Sequence, residues 1–180
     1  MVHGAPSLRV QDASPRVYDA PVPRALLTWS DRGVEGPTPA HHGPRPKSDR
    51  GPVLRLIEED EERDGYDTAW VVASPAGERL AQTLVHDLSA RVTNVRLRTL
   101  AGVEDPSDYA QLFRALGPLI EEVERDRTRR ALSLDVLLSA GTPQAQTLWV
   151  ILTQSGALRA RMLQVIPSAF VPAVHDRAVR

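Results

Sequence analysis

The chain has 180 residues, 42% of them hydrophobic and 25% charged, with a formal net charge of -1. That is enough for one domain with a buried core, and too little positive charge for a broad electrostatic grip on nucleic acid. It contains no cysteine, which excludes disulfides, thiolate catalysis and zinc–thiolate centres, and no apolar run is long enough to span a membrane.

Residues 1–23 carry Pro6, Pro15, Pro21 and Pro23 and show no sustained periodicity. They lack the apolar segment of a secretory signal, so they read as a flexible leader and the chain as cytoplasmic. Arg24–Ser30 is a short apolar run that predicts the first strand. Asp31–Gly51, rich in Gly, Pro and His, predicts a long loop, which inside a compact domain signals function or disorder. Pro52 suits a first helical position, where its missing N–H is not needed. The helix it opens, Pro52–Arg63, has Val53, Leu54, Leu56 and Ile57 as its apolar face, and the acidic run Glu58–Glu62 reads as a solvated end. Gly65 should close it.

Thr68–Ser74 predicts a fully buried second strand, and Pro75–Ser89 a helix with Leu80, Leu84 and Leu88 at a spacing of four. Val92–Leu100 alternates, as a strand near a sheet edge does. Asp105-Pro106-Ser107-Asp108 predicts a helix start with Asp105 as the cap. The apolar face of that helix is Tyr109, Leu112, Phe113, Leu116, Ile120 and Val123, and Gly117-Pro118 should kink or split it. Leu132–Leu138 is the fourth strand. Thr142-Pro143 opens a helix with Ala145, Leu148, Trp149 and Leu152 on one face, closed by Gly156. Leu158–Ile166 is the fifth strand and 167–180 a C-terminal tail.

Strict alternation of strands and helices predicts one α/β domain over residues 24–166: a Rossmann-like three-layer fold with a mainly parallel five-stranded sheet, order 3-2-1-4-5. Ligands in such sheets bind outside the carboxyl ends of the strands, where the strand order reverses. Two segments meet there: Thr28, Trp29, Ser30 and Asp31 leaving strand one, and Ser139, Ala140, Gly141, Thr142, Pro143 and Gln144 leaving strand four. Gly141 would let backbone approach a ligand, Thr142 would cap the helix, and the N–H groups of its first turn would favour an anion. Trp29 beside the mouth would stack on a base, whereas Trp70 and Trp149 belong to the core.

The turn matches neither a phosphate-binding Walker loop nor a dinucleotide fingerprint, and no nucleophile elbow is present. His41-His42 in the long loop lacks a third ligand at a convincing spacing, so neither a metal nor a cofactor is expected. Arg79, Arg91, Arg96, Arg98 and the run Arg125–Arg130 read as solvated charge rather than a phosphate-tracking surface.

Leu26-Leu27-Thr28-Trp29, Asp105-Pro106-Ser107-Asp108-Tyr109, and Leu138 through Gln146 with Trp149 behind it resemble a CARF domain in their order and spacing. The sequence is most similar to the N-terminal sensor domain of RtcR-type RNA-repair transcriptional regulators. The resemblance implies a ligand-sensing domain that binds a nucleotide or RNA end, such as a cyclic oligonucleotide or RNA with a 2′,3′-cyclic phosphate, at the mouths of strands one and four. It also implies a homodimer whose two sites lie side by side and whose ligand switches an effector. No effector sequence follows before Arg180, so a separate effector partner, or a longer regulator of which this is a fragment, is expected. Ala140 stands where a proline is more usual. Pro143 stands where many CRISPR-linked members carry a lysine that grips phosphate, which weakens the case for cleavage of a cyclic oligoadenylate. Two alternatives stay open: a metal-independent ring nuclease or phosphodiesterase using Ser30 and Thr142, and an interaction module without a ligand.

Overall fold

The most apolar segments of the chain form the middle of the sheet. The computed structural model describes residues 22–30, 51–60 and 65–165. In it β1 (Arg24–Trp29) lies between β2 (Thr68–Ala73) and β4 (Ser133–Leu137), and β3 (Asn94–Thr99) and β5 (Arg161–Leu163) are the edges. All four pairings are parallel and the order is β3-β2-β1-β4-β5. Every residue of β2 is buried, as is β1 from Ala25 onward, while β3 is half-buried with alternating Arg96 and Arg98. This is the α/β fold and strand order that the sequence predicts.

Four helices fill the crossovers: α1 (Pro52–Asp60), α2 (Glu78–Leu88), α3 (Tyr109–Arg130) and α4 (Pro143–Gln154). Register places Trp70 beside Arg96 and Trp29 in line with Arg98 across the sheet, so these side chains share a face. That face is covered by α3 and α4. Arg96 stacks on Trp70 and pairs with Asp126, Arg98 pairs with Glu122, and Trp29 meets Trp149 edge-on. The remaining two helices lie on the opposite face, as right-handed crossovers require, and the turn after α2 is tied to α1 by the Arg91–Glu58 ion pair at 3.0 Å. No described helix is long and apolar enough to cross a membrane.

Four local expectations are corrected. Helix α3 is capped by Asp108, whose Oδ1 accepts from the backbone N–H of Ala110 and Gln111. Asp105 instead closes the preceding turn, accepting from the N–H and hydroxyl of Ser107. Helix α3 is not split at Gly117-Pro118. Both residues are exposed, so the carbonyl that Pro118 leaves without a helical donor faces water. Tyr109 and Phe113 point outward, at 47% and 58% exposure, while Leu119 and Asp126 take buried positions on the same helix. The segment after Pro75 begins as a 3-10 turn, Pro75–Gly77, capped by Ser74, before α2 proper.

Two buried carboxylates stitch distant elements together. Asp135 in β4 accepts from Arg24 at 2.8 Å, Tyr66 at 2.8 Å and both Nε and Nη2 of Arg161 at 2.9 Å. Asp126 in α3 pairs with Arg96 at 3.2 Å, with Arg130 at 3.4 Å and with Arg129. Six of the basic residues, Arg91, Arg96, Arg98, Arg127, Arg129 and Arg130, are thus held in ion pairs, rather than being simply solvated as the sequence suggests. The expected leader, the expected loop after strand one, the expected last residues of the helix opened by Pro52 and the expected tail fall on residues 1–21, 31–50, 61–64 and 166–180, which lie outside the described residues, His41 and His42 among them.

Candidate functional site

At the C-terminal mouths of β1 and β4, where the strand order reverses, lies a cavity of about 290 Å³. Five of the residues expected at the switch line it: Trp29, Ser30, Ser139, Ala140 and Gly141. Their arrangement follows from the backbone. Ser30 continues β1, its N–H donating to Val72 O at 2.8 Å, and stays buried. Ser139 leaves β4 and its hydroxyl engages the backbone of Val165, accepting from N–H at 2.7 Å and donating to the carbonyl at 3.2 Å. The turn is therefore tied to the segment that follows β5.

Gly141 has φ +87, and a Cβ placed there would stand 2.8 Å from Cγ and Cδ1 of Trp29. The close approach foreseen for a ligand is made by the indole. Trp29 is fully buried, 6.5 Å from Trp149 between ring centroids, so a base could stack on it only if the Gly141 turn moved away. This corrects the expectation of an open stacking platform.

Thr142 is the N-cap of α4, as expected, its Oγ1 accepting from Ala145 N–H at 3.2 Å. The same hydroxyl donates to Pro106 O at 2.8 Å and is buried. A hydroxyl with its proton given to one carbonyl and its lone pair to a helix N–H is positioned to hold the turn on the loop before α3. Thr142, Pro143 and Gln144 do not line the cavity, and neither does Thr28, whose hydroxyl donates to Trp29 O. Asp31 lies outside the described residues.

The other walls were not foreseen. Gly51, Pro52, Val53 and Leu54 bring the N-terminus of α1 to the cavity, and Leu80, Thr83, Leu84 and Asp87 bring one face of α2. The anion-favouring helix end at this mouth is therefore that of α1, not that of α4. Leu80 is 46% exposed although it belongs to the leucine stripe, because α2 turns that end of the stripe toward the cavity rather than the sheet. Asp87 is the one ionisable side chain among the described lining residues, and no Lys or Arg is among them. The walls are therefore largely apolar, with hydroxyls at Ser30, Thr83 and Ser139, one carboxylate, and a helix N-terminus. Such a lining suits a flat, uncharged ring system together with a limited amount of negative charge at the helix end.

No protein-family model matches the chain, and no curated protein matches it in sequence. Among solved structures it is similar to Enterococcus italicus Csm6 bound to cyclic hexa-2'-fluoro-hexa-dAMP, with a TM-score of 0.57 and 13% identity over 86% of this chain and 36% of that one. At that identity the likeness is one of fold, and the chain spans about a third of the length of the protein it matches.

Proposed function

We propose that this chain is a CARF-like sensor domain that binds a nucleotide, in the first instance a cyclic oligonucleotide, in the cavity at the mouths of β1 and β4. The observation that carries the reading is the position of that cavity: it opens at the strand-order switch of a 3-2-1-4-5 sheet. A protein of similar fold was solved with a cyclic oligonucleotide bound. The turn Ser139–Gln144 favours the RtcR-type branch of such sensors, with RNA ends as a second ligand class. The bound state would be read by a separate effector, within a homodimer. Sensing is favoured over cleavage because the hydroxyl of Thr142 is committed to Pro106 and Ala145 rather than to the cavity.

Thermal unfolding of the protein with cyclic oligoadenylates, and with RNA ending in a 2′,3′-cyclic phosphate, tests the reading. A ligand at about 100 times its dissociation constant stabilises the fold by roughly 2.7 kcal/mol, a visible rise in Tm. Thr83→Trp, an exposed position on the α2 wall, should abolish the rise while leaving the Tm of the free protein in place. A Tm unmoved by every nucleotide, or an equal rise in Thr83→Trp, would refute the proposal. Recovery of cleaved ligand would replace sensing alone by the nuclease alternative.

A further inference from the structure

A second cavity, of about 340 Å³, lies at the mouth of the edge strand β3, lined by Ala101, Gly102, Gln111, Arg114 and Ala115. It shares no residue with the first. Its one charged wall is Arg114. Five other arginines of β3 and α3, Arg96, Arg98, Arg127, Arg129 and Arg130, are each held by a carboxylate. Arg114 has no carboxylate partner among the described residues. Its Nε donates to Ala110 O of its own helix at 3.0 Å, which orients the guanidinium and leaves both terminal nitrogens for a ligand. A guanidinium held in this way presents a fork suited to two oxygens of one oxyanion.

Another wall is a backbone turn. Leu100–Val103 is a tight turn, closed by Val103 N–H to Leu100 O at 3.3 Å, with Gly102 at φ +78. The N–H groups of Ala101 and Gly102 have no acceptor among the described residues, and a Cβ at Gly102 would meet nothing within 4 Å, so this side of the turn is open. The remaining wall is fixed. Gln111 accepts from the N–H of Glu104 at 2.8 Å and of Asp105 at 3.2 Å, and donates to Asp108 at 3.1 Å, pinning the loop to α3 before any ligand arrives. The carboxylate of Asp108 is itself engaged by two helix N–H groups, which offsets its repulsion of an anion.

We infer that this cavity is an oxyanion site for a phosphate group, gripped by the Arg114 fork and the N–H groups of Ala101 and Gly102. The site is separate from the cavity at β1 and β4 and stands whether or not that cavity binds a nucleotide. A free phosphate and a phosphate ester present the same oxygens to it, so the test uses both.

The test is a titration of the isotope-labelled full chain, followed by amide NMR, with inorganic phosphate and with the dinucleoside monophosphate ApA. Sodium chloride at matched ionic strength is the control. The cross-peaks of Ala101 and Gly102 and the Arg114 Nε–H should move saturably with phosphate. Arg114→Gln should weaken binding by at least about tenfold, and Arg114→Lys should fall between the two because it keeps the charge and loses the fork. Movement with ApA as well assigns the site to esters, and movement with inorganic phosphate alone assigns it to the free ion. Ala101 and Gly102 peaks that follow the chloride control, or that saturate equally in Arg114→Gln, would overturn the inference. The Ser30 and Gly141 peaks report the other cavity in the same spectra, so failure at one site is told apart from failure at the other.

Discussion

Gly141 is glycine for two independent reasons: its φ of +87 and the 2.8 Å that a Cβ would leave to the Trp29 ring. Gly141→Ala meets both the left-handed backbone penalty and overpacking against an indole that has no room to yield, so it should destabilise the fold by about 2–4 kcal/mol, measured by urea unfolding. A loss under about 0.5 kcal/mol would mean that the turn and Trp29 are not in contact. Asp135 sets a pH dependence. Burial pushes its carboxyl up, but hydrogen bonds from Arg161, Arg24 and Tyr66 outweigh burial and hold it below the usual carboxylate range. The unfolded chain therefore takes up this proton first as the pH falls. The stabilisation is complete above the unfolded value of about 3.9 and is lost as the pH drops through the lower folded value. Asp135→Asn should cost about 2–3 kcal/mol at neutral pH, less than for a fully enclosed pair because Arg161 is mostly exposed, and the gap to the unmodified protein should close in acid.

Among the elements, α3 departs furthest from what its residues suggest in isolation. Its cap is Asp108, so Asp108→Ala should lower stability by about 1 kcal/mol whereas Asp105→Ala should change it by less than about 0.5 kcal/mol. Pro118 interrupts a helix that runs through it, and Gly117 beside it has open space where a Cβ would go. Pro118→Ala should stabilise the protein by about 1–3 kcal/mol and Gly117→Ala by about 0.5–1 kcal/mol, both seen as higher urea midpoints. Element positions were legible because punctuation is local: Pro52, Pro75 and the pair Thr142-Pro143 act on their own first turns, and each stands where a helix or its 3-10 lead begins. The cavity was legible only on its strand side. Which end of the Leu80–Leu84–Leu88 stripe faces the sheet depends on how α2 docks, and spacing alone does not carry that. The burial of Asp135 was not legible because the partners that neutralise it are remote in sequence, Arg24 standing 111 residues away.

At the scale of the whole molecule, the sheet has a protected centre and two thinner edges. Backbone amides of β1 and β2, paired on both sides and buried, should exchange with solvent most slowly, and those of β5, three residues long with one neighbour, should exchange fastest among the strands. Equal protection across all five strands would contradict this order. The place of β1 also governs when the fold can form during synthesis. Its register with β4 joins Arg24 to Ser133, so β1 waits for β4 before both its edges are paired. Pairing across so long a span is slow. A nascent chain halted before β4 would hold β1 beside β2 with its other edge, a row of backbone N–H and C=O groups, unpaired. It would therefore be a client for chaperones and a target for proteolysis until β4 had been made.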